Sequence, residues 1–210
     1  MTDLFPAAAE GDAVGRLRSR LASGADAAGL LDVAYRSVDS PVGPLLLAAT
    51  PLGVVRIAFD VQGHDAALAE LAANVGPRVL RAGARLDEPT RQLEEFFTGR
   101  RRRFELPLDL RLAGGFRRRV AEALAGIGYG ETVGYGALAA RLGAPGAARA
   151  VGTGCARNPL PVVLPCHRVV RADGSVGDYA GGADAKRWLL DLERGDRGPA
   201  PAAACRVQPA

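Results

Sequence analysis

The stretch YGALAARLGAPGAARAVGTGCAR, residues Tyr135–Arg157, reads as two short helices across a tight turn. Tyr135–Leu142 is stopped by Gly143, Pro145 and Gly146 make the turn, and Ala147–Arg157 forms the second helix. That is the outline of a helix-turn-helix. The outline alone does not specify a ligand, because many helical hairpins touch no nucleic acid. The second helix says more. Ala147, Ala148, Ala150, Gly152 and Gly154 leave its surface nearly bare, and Arg149 is its one long side chain before Arg157. A bare helix can lie close to a groove or close to another helix. Helical phase puts Arg149 outward, which favours the groove.

Working outward, GGFRRRVAEALAGI (Gly114–Ile127) carries Phe116, Val120, Leu124 and Ile127 on one helical face. Downstream, the Gly181-Gly182 pair turns the chain into a helix from about Ala183 to Glu193. The first half has a different period. VAYRSVDS, GPLLLAAT and GVVRIAFD, starting at Val33, Gly43 and Gly53, are short β-like runs separated by turn signals, which predicts an antiparallel meander. Asp65–Val75 and Glu88–Gly99 have helical spacing. FELPLDL, from Phe104, reads as a linker or edge strand. The expected fold class is α/β, in the α+β sense. The organisation is a loosely held arm over residues 1–30 with a short helix near Ala13–Ala22, an α/β domain over 31–106, a mostly helical domain over 107–195, and a disordered tail over 196–210. The run Arg100–Arg103 reads as a solvated charged turn, with a phosphate contact as the other reading.

The chain has 210 residues and a net charge of +4. Residues 107–195 hold twelve Lys/Arg and eight Asp/Glu, and the remainder holds fifteen of each, so the whole excess sits in the second half. A basic surface attracts phosphate polyanions, and an ordinary mixed-sign surface is the plainer reading. Of the 27 cationic residues only Lys186 is a lysine. The cysteines are Cys155, Cys166 and Cys205; an odd number without CxxC spacing argues against a disulfide framework or a zinc cage. There is no basic leader followed by an apolar run, and no stretch approaches the roughly 20 apolar residues of a membrane helix. A cytoplasmic protein away from membranes is expected.

The chemistry-bearing segment is LPCHRVV, Leu164–Val170. The apolar run before it reads as buried, and Pro165 ends a strand or starts a turn, delivering Cys166 to a surface or pocket. Strand neighbours point to opposite faces, so Cys166 and His167 cooperate only if the chain turns or a water bridges them. Cys166 is either a small core hydrophobe or a thiolate activated by a nearby base. Glu193, late on its helix, is either an exposed carboxylate or turns inward to orient His167. Cys205 reads as incidental.

Taken in order, YGETVGYGALAARLG, GAARAVG, NPLPVVLPCHRVV, GSVGDYAGG and KRWLLDLE closely resemble the methylated-DNA–protein-cysteine methyltransferases over residues 116–194. YRSVDSPVGPLLLAAT and LEEFFTGRRRRFELPLDL resemble that family's N-terminal domain more loosely. The resemblance implies a ribonuclease H-like N-terminal domain and a winged-helix-like DNA-binding domain. It implies a single-use transfer of a methyl group from 6-O-methylguanine in double-stranded DNA, and less well from 4-O-methylthymine. Cys166 is then the acceptor, His167 the water-linked base, Glu193 its orienting partner and Asn158 the residue securing the turn. Tyr135 protonates the leaving guanine and wedges the backbone. Arg149 fills the gap left by the flipped base, and Gly136, Ala148 and Arg157 join it at the DNA. Val169, Tyr179, Ala180 and Pro161 line the base pocket. No cofactor, no metal and a monomer are implied.

The physics fits such a reaction: flipping a base costs a few kcal/mol, an ordinary thiol needs a base at neutral pH, and a thioether is not reversed by water. Two positions depart from the family pattern, Ala121 where a tryptophan is usual and Ala180 where some members have serine. Other readings are a non-catalytic lesion-binding relative, a repair-linked transcription regulator and a cysteine hydrolase. Cys166 argues against the first, the chain's length and cysteine count against the second, and the bare helix with Arg149 against the third.

Overall fold

The structure is a computed structural model and describes residues 7–198, 200 and 206–208. Its first half is built on a four-stranded sheet in the order β3-β2-β1-β4. The strands β1 (Val33–Val38), β2 (Leu45–Thr50) and β3 (Gly53–Phe59) form the expected antiparallel meander. The chain then crosses back through helix α2 (His64–Asn74) to β4 (Val79–Arg81), which pairs parallel to β1. A parallel neighbour needs such a crossover, since a tight turn can only reverse the chain. β4 was not expected, because three residues are too short to show a period.

All six residues of β2, LLLAAT, are buried. A continuous apolar run is what a strand covered on both faces requires. Leu45, Leu47 and Ala49 join the main core, while Ala48 packs with Val33, Val55 and Leu71 of α2 on the other face. Helix α3 (Asp87–Phe97) brings Leu93, Phe96 and Phe97 into the main core, fully buried.

The two ends differ from expectation. The N-terminal helix α1 spans Ala7–Ala27 rather than a short piece near Ala13–Ala22, and its Ala22 packs with Leu31, Ala34 and Ala82 beside the sheet. Residues 1–6 lie outside the described residues, as does Cys205. The tail is tied down in part, against the expectation of disorder. Val207 bridges Val38 of β1, and the Gln208 backbone N–H donates to Ser37 O at 3.0 Å. β4 reaches only as far as Tyr35 of β1, so β1 has backbone groups free to receive these partners. Residues 107–109 also belong by hydrogen bonding to the first half: Val54 N donates to Pro107 O, and Asp109 N to Val54 O.

The second half packs α4 (Phe116–Leu124), α5 (Tyr135–Arg141), α6 (Ala148–Ala156) and α7 (Gly182–Arg194), with a two-residue parallel pair β5 (Val133–Gly134) and β6 (Val169–Val170). The bare helix α6 has one packed side and one open side. On its inner side a Cβ at Gly154 would stand 3.0 Å from Val120, so glycine lets α6 press onto α4. On its outer side Arg149 is exposed.

Candidate active site

Pro159-Leu160-Pro161-Val162-Val163-Leu164-Pro165 forms buried turns rather than a strand. Three prolines punctuate it, and Val162 adopts a positive φ of 73°, which a β-branched residue takes only when its surroundings force it. The first half supplies part of that force. Ile57 N on the edge of β3 donates to Pro159 O at 2.8 Å. Phe59 lies edge-on to Tyr179 with ring centroids 5.4 Å apart. A Cβ at Gly181 would fall 2.6 Å from the Phe59 ring. The sheet therefore braces both the segment before Cys166 and the segment after it.

The chain does turn at the Cys-His pair. Cys166–Arg168 is one 3-10 turn, and Val169 N–H closes it on Cys166 O. Asn158, buried at the end of α6, holds the loop from within. Its amide nitrogen donates to Leu164 O at 2.8 Å and lies 3.1 Å from Cys166 Sγ, and its Oδ1 accepts from Leu160 N at 3.0 Å. Cys166 is only 1% exposed. Burial pushes the Cys166 thiol up to about 11, against the Asn158 hydrogen bond and the positive charge of Lys186, which favour the thiolate.

His167 is fully buried, and its Nε2 lies 2.8 Å from Glu193 Oε1. Glu193 does point inward. Arg168 Nε and Nη2 reach its carboxylate at 2.9 and 2.8 Å, and Gly130 N donates to Oε2 at 3.0 Å. Burial would raise the Glu193 carboxyl, but the bonds from His167 and Arg168 override it and hold it down at about 2. The carboxylate can only accept, so His167 carries its proton on Nε2. Burial depresses the His167 pKa, with Glu193 acting the other way, and the ring stays neutral. Its Nδ1 is then a lone pair, buried and without a partner in the described structure. The Tyr179 ring stands 6.3 Å from the His167 ring, and its buried Oη faces the Val162 backbone N–H in a contact too poorly aligned to close a good hydrogen bond. A buried imidazole nitrogen without a partner marks a place for water or a polar ligand.

Tyr135 opens α5, half-buried, and burial raises its phenol to about 12, so it is protonated at neutral pH. Gly177 makes room for it: a Cβ there would stand 2.6 Å from the hydroxyl. Tyr135, Ala148, Arg149, Gly152, Arg171 and Asp178 line an open concavity of about 550 Å³. Gly136 and Arg157 are exposed, and Arg157 lines a different concavity with Arg56 and Glu70. Val169 and Pro161 are buried, and Tyr179 and Ala180 are partly buried. Cys166 does not line the concavity at Tyr135 and Arg149. Among the described residues no three His, Cys, Asp or Glu gather to hold a metal ion, and no helix is long and apolar enough to cross a membrane.

Two family models match this chain, the 6-O-methylguanine DNA methyltransferase ribonuclease-like domain over residues 33–110 and the DNA-binding domain of the same enzyme over residues 115–195. The chain belongs to the 6-O-methylguanine DNA methyltransferase family. A methylated-DNA–protein-cysteine methyltransferase of Mycolicibacterium paratuberculosis is 43% identical over 162 residues, 77% of this chain and 93% of that protein. The crystal structure of Mycobacterium tuberculosis O6-methylguanine methyltransferase superposes with a TM-score of 0.68 at 38% identity, covering 81% of this chain and 96% of that one. The Mycobacterium tuberculosis protein in complex with DNA gives 0.65 at 38% identity, covering 79% and 95%. The two-part architecture inferred from sequence is that of this methyltransferase family.

The structure brings Cys166, His167, Glu193 and Asn158 together, and gathers Tyr135, Arg149 and Ala148 at one concavity. Three contributors were missed by sequence reasoning. Arg168, which neutralises Glu193, looks in sequence like a surface cation. Phe59 lies more than a hundred residues from the segment it braces. Lys186 is fully buried, with Nζ 2.6 Å from Val169 O and 5.9 Å from the Tyr135 ring centroid. Its signal was available, as the single lysine among 27 cations. The departure at Ala121 is absorbed in the core of α4, where the residue is buried.

Proposed function

We propose that Cys166 is the atom-accepting end of this enzyme's reaction, taking the methyl group of 6-O-methylguanine flipped from double-stranded DNA. The activity itself, DNA repair by direct reversal with transfer to a protein cysteine, follows from membership of the family. The observation that supports the assignment to Cys166 is a buried thiol held by Asn158 and followed in the same 3-10 turn by a neutral His167 whose Nδ1 has no partner. A water between them passes the thiol proton to Nδ1. The thiolate attacks the methyl carbon in line, the carbon–oxygen bond breaks, and its electron pair stays on the guanine. Tyr135, protonated at neutral pH, supplies the proton that makes guanine a better leaving group. The product thioether has no hydrolytic exit, so each chain acts once and no cofactor enters the balance.

Arg149, exposed on α6 beside Tyr135, enters the stack in place of the flipped base, with Ala148 and Gly152 giving the backbone close approach. Val169, Tyr179, Ala180 and Pro161 form the base pocket. One chain carries the whole site, which suits a monomer, and Cys155 and Cys166 are free thiols, which suits a reducing cytoplasm.

Intact mass after exposure to a duplex carrying 6-O-methylguanine tests the assignment. One methylene is expected, on the peptide containing Cys166, in at most a one-to-one ratio. Repeated turnover, or modification at another residue, overturns it.

A further inference from the structure

Lys186 has an electrostatic problem that the mechanism above does not use. It is fully buried, and no carboxylate lies within ion-pair distance of its ammonium among the described residues. Its one hydrogen bond goes to Val169 O, and the Tyr135 ring offers a weak cation–π contact. Burying an ammonium without a counter-charge is costly, and such groups are ordinarily paired. The residue is also chemically singled out. The other 26 cations of the chain are arginines, and a lysine supplies a compact point charge where a planar fork would need several acceptors.

The surroundings identify the missing anion. Val169, which anchors the ammonium, is closed by its own N–H onto Cys166 O. The groups facing Lys186 are Tyr135 from α5, Cys155 from α6, Cys166 and the neutral His167 from the reactive turn, and Asp178 and Arg171 from the segment between β6 and α7. Tyr135 and Cys155 are neutral, both held up near 12 chiefly by burial. Asp178 and Arg171 are exposed and oppose one another. Glu193 is already matched by Arg168. Cys166 is the remaining buried neighbour, and it turns negative during methyl transfer.

We propose that Lys186 is the built-in counter-ion of the Cys166 thiolate, a positioning residue whose uncompensated charge is relieved when the thiol loses its proton. His167 receives that proton, and Lys186 stabilises the charge left behind. The idea rests on Cys166 being the reacting thiol, and the experiment separates the two.

Because Lys186 is the sole lysine, isotope-labelled lysine gives one side-chain ammonium resonance in the whole protein. Its titration midpoint is followed in the native chain and in Cys166→Ser, which keeps the shape and removes the ionising sulfur. The midpoint is expected to fall by about one pH unit in Cys166→Ser. Equal midpoints overturn the proposal, and this arm needs no DNA. In parallel, Lys186→Met and Lys186→Arg are compared for the pH dependence of iodoacetamide labelling at Cys166 and of single-turnover methyl transfer. Lys186→Met is expected to move both profiles up by about one unit, about tenfold in rate near neutrality, with Lys186→Arg, which restores the charge but not its compact shape, recovering only part of the loss. A folded Lys186→Met with the native profile overturns the proposal; if that variant does not fold, the lysine titration decides. If the native chain takes no methyl at Cys166, the functional assignment fails, while labelling and titration still report on the ion pair.

Discussion

Glu193→Gln tests the buried triad at its charge. The carboxylate is 7% exposed and accepts from His167 Nε2, Arg168 Nε and Nη2, and Gly130 N. Burial opposes its ionisation, yet the bonds from His167 and Arg168 bring its pKa down from 4.5 to about 2. A depression of that size corresponds to about 3 kcal/mol of folding stability. Glutamine also strands the Arg168 guanidinium, which is 6% exposed, and severing one partner of a buried pair costs about 3–5 kcal/mol. For a chain of this length each kcal/mol moves the midpoint by roughly 2–4 °C, so Tm should drop by about 6–20 °C. The sign with pH follows from a lowered pKa. The contribution is complete above the ordinary 4.5 and is lost as pH falls through about 2. Guanidinium denaturation of both proteins, from about pH 7 down to about pH 2, measures the gap between them. The gap should be widest near neutrality and close over the acid window. A variant within about 0.5 kcal/mol of the parent at neutral pH, or a gap that does not narrow in acid, refutes the reasoning.

Tyr135→Phe removes the donor while keeping the ring, so single-turnover transfer should slow by about 10²-fold with DNA affinity nearly unchanged; a large affinity loss in a binding titration would make the hydroxyl chiefly a backbone contact. Arg149→Ala should weaken transfer from duplex by about tenfold more than transfer from the free base, since only the duplex needs the gap filled; equal losses in the two assays remove its finger role. Gly181→Ala puts a Cβ 2.6 Å from the Phe59 ring, and the resulting overpacking should cost about 1–3 kcal/mol in denaturation. Phe59→Ala in the same background should recover part of that loss, and no recovery would mean the ring is not the obstacle.

Local pattern carried much of this protein. Three β runs and most helices are legible because each has its own period. α3 and α7, for example, were bounded to within a residue or two by composition and glycine stops. The reactive Cys-His pair was legible through its neighbours in order. The parallel strand β4, the docking of Val207 on β1 and the length of α1 were not, because each depends on partners distant in sequence. The same holds for Ile57 and Phe59, which meet the reactive loops only after the two halves close.

By itself the order of residues determined which side chains could do chemistry: a thiol, an imidazole, a carboxylate, a phenol and one arginine on a bare helix. It could not decide their states. Whether Glu193 faces water or His167, which imidazole nitrogen is free, and whether Lys186 is a solvated cation or an unmatched buried one were settled by tertiary packing alone. Charge and protonation depend on what lies within a few ångströms and on how little water remains there, and a linear sequence specifies neither.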